Sequence, residues 1–582
     1  MAVKKVGAGR GAGMRVLLIH PDDDFKKVRG KTWDLVIDMG RAPVATYSRW
    51  AQSAGCEVRS LHDCAQEIED LYVARRLLQA GFAGMVDRYG IDWWDILVPE
   101  LLPNTLNLIL VERQARLLGP DCDLHTSRPS WIASALAARL GVGLKTAGSS
   151  WWKRRLKYGS LLRRLDGKQL AQLFEDKFRT NRLARAFSGD PRSMILLPSA
   201  YVNGSRTAIH LAERLPQHDF LLMYTRSSGK LPSLPANVRM NALRVDSTPG
   251  DSPEMAGLLA GWEASKAKLT AQSTEFSFSG SVGAFDHIPI LLRNGISMRD
   301  AWIRVFDSAN LTGLICTDDS NPPTRIPLIL ARMRGLPTAI CHHGALDYLM
   351  AVKSFCADSY IAESSLERDY LERVCRLPAD KILELPGAFE KVPESITPSV
   401  DGDWLVFFSE PYEDKYWRSD EIYAELIPQL IGLSSRLGLK LAFKIHPFES
   451  VKAHRRRLQR IAADDASDIT IIAGPPTDQL YRQTRIAITV QSTTALECAK
   501  RGIPVFLCTW LRDAYSGYDA QFARFGVGYP LTFAAEIADV PDLLDRLPGK
   551  PIPLGSQSQS DGENRLSELF ATSESNAVTT LC

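Results

Sequence analysis

The chain lacks a membrane-length apolar run, a paired-cysteine motif and a strong excess of either charge sign, and each absence removes a class of function. No run approaches the ~18 apolar residues that cross a bilayer. Ten cysteines lie scattered over 582 residues with no CxxC and no tight Cys/His cluster. That spacing excludes a zinc ribbon or a disulfide scaffold, so reduced, cytosolic thiols and a cytoplasmic location are expected. Lys and Arg total 70 against 67 Asp and Glu, a net charge of +3, too even for a protein that coats nucleic acid. A GxxxxGK[ST] phosphate loop is missing. The nearest approach to a dinucleotide fingerprint, from Gly7 to Ala12, precedes the first apolar run instead of following it, so it reads as a flexible tail. Residues 1–13 are Lys/Gly-rich without an apolar stretch, unlike a secretory leader.

What is present is an ordinary globular composition, 45% hydrophobic and 24% charged, in a chain long enough for several domains at ~100–200 residues each. Apolar runs of strand length alternate with helical patterns, which implies parallel sheets covered by helices on both faces. The runs fall at 14–20, 32–39, 122–126, 194–198, 220–225, 311–317, 337–341, 359–362 and 381–385. A Pro/Ser-rich polar stretch, 393–403, reads as a linker. Beyond it come runs at 404–408, 440–445, 469–473, 485–490 and 504–508. The expected architecture is α/β, two Rossmann-like domains facing a cleft, spanning 14–392 and 404–548. The first carries a basic helical insertion over about 150–187, with eleven Lys/Arg against three Asp/Glu between Lys153 and Arg185. Residues 555–582 are Ser/Gln/Asn-rich and read as a disordered tail.

Ligands of doubly wound sheets sit beyond the carboxyl ends of the strands. Three consecutive loops of the second domain place polar residues there: Ser409 and Glu410 after WLVFF, His446 and Pro447 after LAFKI, and Gln491, Ser492, Thr493 and Thr494 after RIAITV. The last loop opens a helix, where free N–H groups and the helix dipole favour an anion. Lys444 and His446 add cationic or donor groups for a phosphate, and Glu497, one turn into the helix, suits ribose hydroxyls. Taken singly, each has a structural reading: Ser492 or Thr493 as a helix cap worth ~1 kcal/mol, His446-Pro447 as a strand end, Glu410 as a loop carboxylate. Their serial placement favours a site.

KIHP, followed after an intervening strand by QSTTALECAKRGIPVF, resembles the nucleotide-binding half of bacterial GT-B glycosyltransferases of surface-polysaccharide synthesis: sialyl- and polysialyl-, Kdo- and polyglycerol-phosphate-transferase-like proteins with an HP motif and a Ser/Thr-rich loop. SYIAESSLERDYLERVCRLPADKILELPGA resembles the end of a GT-B N-terminal domain. The likeness covers about 311–530. It implies a GT-B-like fold, a nucleotide-sugar donor (CMP- or UDP-linked) whose phosphate meets His446 and Ser492 or Thr493, and a glycan or lipid-linked glycan acceptor. The acidic motif of the sialyltransferase-like relatives, Asp/Glu-Asp/Glu-Gly, is replaced here by Asp318-Asp319-Ser320.

For the opposite wall of the cleft, Asp318 and Asp319 follow one strand, and His342, His343 and Gly344 another. Carboxylates and an imidazole so placed suit general-base work; Asp319, Asp318 and His343 are the catalytic candidates. Helix capping or loop solvation is the equal alternative for the aspartates. No metal or other cofactor is expected. Two DxD triplets, Asp121-Cys122-Asp123 and Asp401-Gly402-Asp403, and the run Asp22-Asp23-Asp24 are discounted, since such triplets arise by chance in a long chain and the second lies in the linker. The basic segment Lys153–Arg185 suits peripheral contact with the inner face of the membrane, against a solvated helical insertion. The sequence therefore reads as a metal-independent, inverting glycosyltransferase. CDP-polyol phosphotransfer, nucleotide-sugar epimerisation and a non-catalytic scaffold of the same fold remain open.

Overall fold

The computed structural model describes residues 13–19, 32–39, 56–81, 85–128, 130–146, 190–200, 202–225, 233–246, 252–272, 276, 285–342, 355–386, 402–410, 419–446, 449–490, 492–511, 518–544 and 559–577. The basic segment 153–185, the Asp22–Asp24 run, Asp401, His343, Gly344, Pro447 and Gln491 lie outside them.

Among the described residues eighteen strands form three sheets, each paired throughout in parallel. The first sheet holds β1 (Met14–Ile19), β2 (Leu35–Asp38), β3 (Glu57–Ser60), β4 (Cys122–Thr126) and β5 (Leu144–Thr146), in the order β3-β2-β1-β4-β5. Its helices are α1 (Glu67–Gly81), α2 (Trp94–Leu118) and α3 (Trp131–Leu140). Ser130 caps α3 as its sequence suggests, accepting from the Ala133 N–H at 3.1 Å.

The second sheet holds β6 (Asp190–Ser199), β7 (Phe220–Tyr224), β8 (Val238–Ala242), β9 (Ala309–Cys316), β10 (Thr338–Cys341), β11 (Ser359–Ala362) and β12 (Ile382–Glu384). Its order is β12-β11-β10-β9-β6-β7-β8. The helices are α4 (Val202–Arg214), α5 (Pro253–Gln272), α6 (Ile288–Ser308), α7 (Pro322–Met333) and α8 (Ser365–Asp369), the last running into a wide turn over Tyr370–Val374.

The third sheet holds β13 (Trp404–Phe408), β14 (Lys440–Lys444), β15 (Thr470–Ile472), β16 (Thr484–Thr489), β17 (Val505–Cys508) and β18 (Tyr529–Leu531), ordered β15-β14-β13-β16-β17-β18. Around it lie α9 (Ser419–Leu437), α10 (Val451–Ala462), α11 (Asp478–Gln483), α12 (Thr494–Lys500), α13 (Tyr518–Arg524) and α14 (Val540–Leu544). Each sheet reverses its winding once, between β1 and β4, β6 and β9, and β13 and β16, the arrangement of a Rossmann-like sheet.

The parallel α/β class is as read from the sequence, but 14–392 contains two Rossmann-like sheets where one was expected. The apolar runs carry no mark of which sheet they join. β13 shows why such strands read as unbroken apolar runs: Leu405 and Phe407 enter one buried cluster, and Val406 and Phe408 another.

The units are cross-braced. Arg299 on α6, fully buried, pairs with Asp87 (2.6 Å), Glu254 (2.7 Å) and Asp300 (2.7 Å) and so ties the turn before α2 to the second unit. Tyr72 on α1 donates to the Val374 carbonyl at 2.6 Å. Lys500 on α12 reaches Glu363, just past β11, at 2.9 Å, and Arg524 on α13 grips Asp369 with two bonds of 2.6 and 2.8 Å. Within the stretch expected to be a disordered tail, residues 559–577 are described and are helical. Gln559–Ala577 form a helix, α15, whose Leu566 and Phe570 are buried in one cluster with Leu197, Ile315, Ala339 and Leu383 of the second sheet. Its polar composition misled because only one stripe of the helix is apolar.

Two glycines let α15 approach. A Cβ on Gly313 of β9 would come within 2.4 Å of the Phe570 ring, and one on Gly562 within 2.4 Å of the Glu384 carbonyl oxygen. Gly313→Ala is expected to destabilise by ~1–3 kcal/mol, the usual cost of overpacking, and to speed proteolysis within 559–577. An unchanged melting temperature with unchanged cleavage would mean that Phe570 is not seated there.

Candidate functional site

The carboxyl edge of the third sheet at its reversal collects most of the expected donor-binding residues. Lys444, Phe408 and Thr489 are register partners across β14, β13 and β16, so their side chains leave on one face. The backbone there is locked: the Ser409 N–H donates to the Lys444 carbonyl at 3.0 Å, and the Thr489 hydroxyl to the Phe408 carbonyl at 3.0 Å. Lys444 is 5% exposed, yet its ammonium has one hydrogen bond, to the Ile445 carbonyl at 2.8 Å. Burial pushes its pKa down, opposed through space by Glu449. Among the described residues no carboxylate lies within ion-pair reach of it.

Behind this edge sits a polar knot that the sequence reading missed. Glu449 accepts from the Ser409 hydroxyl, from the Tyr423 hydroxyl at 3.2 Å and from the His446 backbone N–H at 3.1 Å, and lies 3.0 Å from the His454 Nε2. Its own N–H returns to the His446 carbonyl at 2.9 Å. Burial alone would raise the Glu449 carboxyl; the hydrogen bond and charge of His454, with the bonds from Ser409 and His446, hold it below the usual carboxylate range. The knot fixes the loops after β13 and β14 against each other. One signal was available: Glu449 stands three residues after His446, the spacing of a turn that bonds back onto itself.

The other expected residues divide. Glu410 is buried at the same edge. The Ser492 hydroxyl accepts from the Thr494 N–H (3.3 Å) and the Thr494 hydroxyl (2.9 Å), a local turn at the head of α12, while Thr493, the N-cap, makes no side-chain cap bond. Glu497 lies in a buried cluster with Arg501 (2.7 Å) and Lys500 (3.1 Å) at the seam with the second unit.

At the carboxyl edge of the second sheet, Asp318 accepts from the Ser320 N–H at 2.9 Å and the Asn321 amide at 2.6 Å, closing the turn into α7. Asp319 is fully buried. Arg325, itself buried, donates to its Oδ2 at 2.9 Å, and the His342 Nε2 lies 3.6 Å from its Oδ1. Arg325 also donates to the backbone carbonyl of Asp95 at the start of α2. Asp121–Asp123 and Asp403 lie at the amino ends of their strands, away from the ligand edge: Cys122 opens β4, and Asp403 immediately precedes β13. Asp123 pairs with Lys145 and His125, which bring its carboxyl down to about 2, and Asp403 pairs with Lys440 at 2.6 Å. Among the described residues no group of three or more His, Cys, Asp or Glu could hold a metal ion, and no helix is long and apolar enough to cross a membrane.

Solved structures similar to the chain include the UDP-GlcNAc 2-epimerase of Methanocaldococcus jannaschii in complex with UDP-GlcNAc and UDP (11% identity, 65% of this chain and 99% of that one, TM-score 0.41). Others are MurG of Acinetobacter baumannii (13%, 65% and 99%, TM-score 0.34) and the spinosyn rhamnosyltransferase SpnG with thymidine diphosphate (15%, 66% and 96%, TM-score 0.35). No protein-family model and no curated protein sequence matches the chain.

Proposed function

We propose that the chain is a glycosyltransferase that holds the phosphate of a nucleotide-activated sugar, CMP- or UDP-linked, at the β13–β14–β16 edge. It passes the sugar to a surface-glycan or lipid-linked acceptor with inversion and without a metal. The observation that carries this reading is Lys444: a buried ammonium with a single carbonyl partner, one strand from the winding reversal of a Rossmann-like sheet. A buried cation is costly without a counter-charge, and a phosphate would supply one. His446 stands just beyond it, on a loop that the Glu449 knot holds still, as an electrostatic site needs. The acceptor would bring the enzyme to the inner face of the cytoplasmic membrane, with Lys153–Arg185 as the contact.

The test is calorimetry against CMP, UDP, CDP and their sugar conjugates. One nucleotide series is expected to bind, and His446→Ala to weaken it about 10-fold or more, the worth of a charge-assisted bond, with the melting temperature retained. No binding by any nucleotide would overturn the reading. Conversion of a bound nucleotide sugar to its epimer without acceptor would reassign the reaction to epimerisation.

A further inference from the structure

We infer that the exposed face of α10 is an electrostatic docking surface for anionic lipid headgroups, and that it sets the ligand edge of the third sheet beside a bilayer. The presence of an acceptor there rests on the transferase reading above, but the docking can be measured without it.

α10 follows the His446 loop, so its amino end lies at the ligand edge. One side of the helix is committed to the interior. His454 is buried 3.0 Å from the Glu449 carboxylate, Leu458 is buried against Leu441 and Phe443, and the buried Arg457 guanidinium lies 4.6 Å from the centre of the Tyr423 ring. These contacts keep the helix from rolling, so its other side is fixed outward. At ~100° per residue, Lys452, Arg455, Arg456, Gln459 and Arg460 fall within about 140° of one another, in a row roughly 12 Å long. All five are exposed. Among the described residues Lys452, Arg455 and Arg456 have no hydrogen bond and no ion pair. The described exposed positions of the adjoining α9, Pro428, Gly432, Ser435 and Arg436, add a cation and no carboxylate. Asp465 and Asp468, in the turn beyond α10, are exposed as well, but they pair with none of the three.

Local stability does not account for this row. Lys452 is the second residue of the helix, and the first turn holds no acid, so a cation stands at the end where the helix dipole opposes it. Lys452 and Arg456, and Arg456 and Arg460, are like charges one turn apart, which costs the helix more. An anionic partner removes both costs. A helix face is convex, and this one carries no aromatic side chain on which a sugar ring or a base could stack. The net charge of +3 gives no broad field for a nucleic acid. A layer of phosphate headgroups needs neither feature, only cations held at one level. The apolar stripe of α10 is already buried in the third unit, so the contact is made by charge, without insertion. It differs in this from Lys153–Arg185, whose interleaved Trp and Leu suit insertion. A bilayer against α10 lies next to the His446 loop, where a lipid-linked acceptor would be presented to the donor.

The test is co-sedimentation of the full chain with vesicles of phosphatidylcholine alone or mixed with phosphatidylglycerol. The wild type is expected to bind the mixed vesicles at low salt and to bind them less as salt shortens the Debye length. Lys452→Gln/Arg455→Gln/Arg456→Gln changes exposed positions without partners, so its melting temperature should hold. Its partition onto the mixed vesicles should fall about 100-fold, ~5-fold for each charge removed. Lys266→Gln/Lys268→Gln/Arg293→Gln takes the same charge from α5 and α6 of the second unit and should change the partition little. Three results would each overturn the inference: wild-type partition in the α10 variant, equal losses in the two variants, or equal binding of the wild type to phosphatidylcholine alone. So would a wild type that ignores the vesicles but binds single-stranded DNA or heparin through the same three residues. Nucleotide binding in calorimetry with no α10-dependent vesicle binding removes this inference alone. Vesicle binding through α10 without binding of any nucleotide removes the transferase reading and leaves the docking face standing.

Discussion

Lys444→Met is expected to lower nucleotide affinity about 10- to 100-fold, the equivalent of losing one charge-assisted hydrogen bond of ~1.5–3 kcal/mol, while the melting temperature stays level or rises. The two halves of this result have one cause. In the free protein the ammonium is buried with a single carbonyl partner, so it costs stability. Methionine keeps the length of the stem and removes the desolvated charge, a change that is often neutral or stabilising at buried ionic sites. A structural lysine would behave oppositely, lowering both. Because burial depresses its pKa, the ammonium gives up its proton earlier than a surface lysine would. Nucleotide affinity should therefore weaken as pH rises into the alkaline range and hold as pH falls toward neutrality. Calorimetry of wild type and Lys444→Met across that range checks both statements. Equal affinity in the two proteins would place the phosphate elsewhere.

Arg299→Met should be the most destabilising single change of those discussed, by ~3–5 kcal/mol, since it leaves buried carboxylates without their partner. Asp87 is the decisive one. Its carboxylate is fully buried and also receives the N–H groups of Tyr89 (2.9 Å) and Ile91 (3.0 Å) and the Trp93 indole N–H (3.2 Å). It therefore organises the whole turn before α2, and Arg299 is what ties that turn to α6. Removing the guanidinium should loosen the first unit from the second before either unfolds, so urea denaturation should show an added early transition. Asp300→Asn, at a half-buried rim position, is the control and should cost under ~1 kcal/mol. A single unshifted transition in Arg299→Met would show that the joint is held by its apolar contacts alone.

The parts of this molecule that the sequence discloses are those where local chemistry and final position coincide. β13, β14 and β16 are apolar because both faces are covered, and the polar residues Ser409, Lys444 and His446 stand at their carboxyl ends, where apolar packing stops. The first unit is hidden for the opposite reason. Its longest helix, α2, carries Pro99 and Pro103, which read as breakers, and β3 (EVRS) and β5 (LKT) are short and polar. Asp319 followed its strand as expected, but the partner that occupies it, Arg325, is set by the fold of α7 and by Asp95 more than two hundred residues earlier. The role of Glu449 depends on Tyr423 and Ser409 arriving from other elements. Pairings of that range leave no periodicity to read.

The helix α15 also has a consequence for how the protein is made. The face of the second sheet that receives Leu566 and Phe570 is complete once β12 has been synthesised, yet its cover lies beyond the entire third unit. At ~5–20 residues per second, the ribosome needs roughly 10–40 s to deliver it. During that interval α4 covers only part of that face, and the part that awaits Leu566 and Phe570 stays exposed on the nascent chain. That exposure is expected to make the second unit the part at which overexpression fails first, through aggregation of the waiting face.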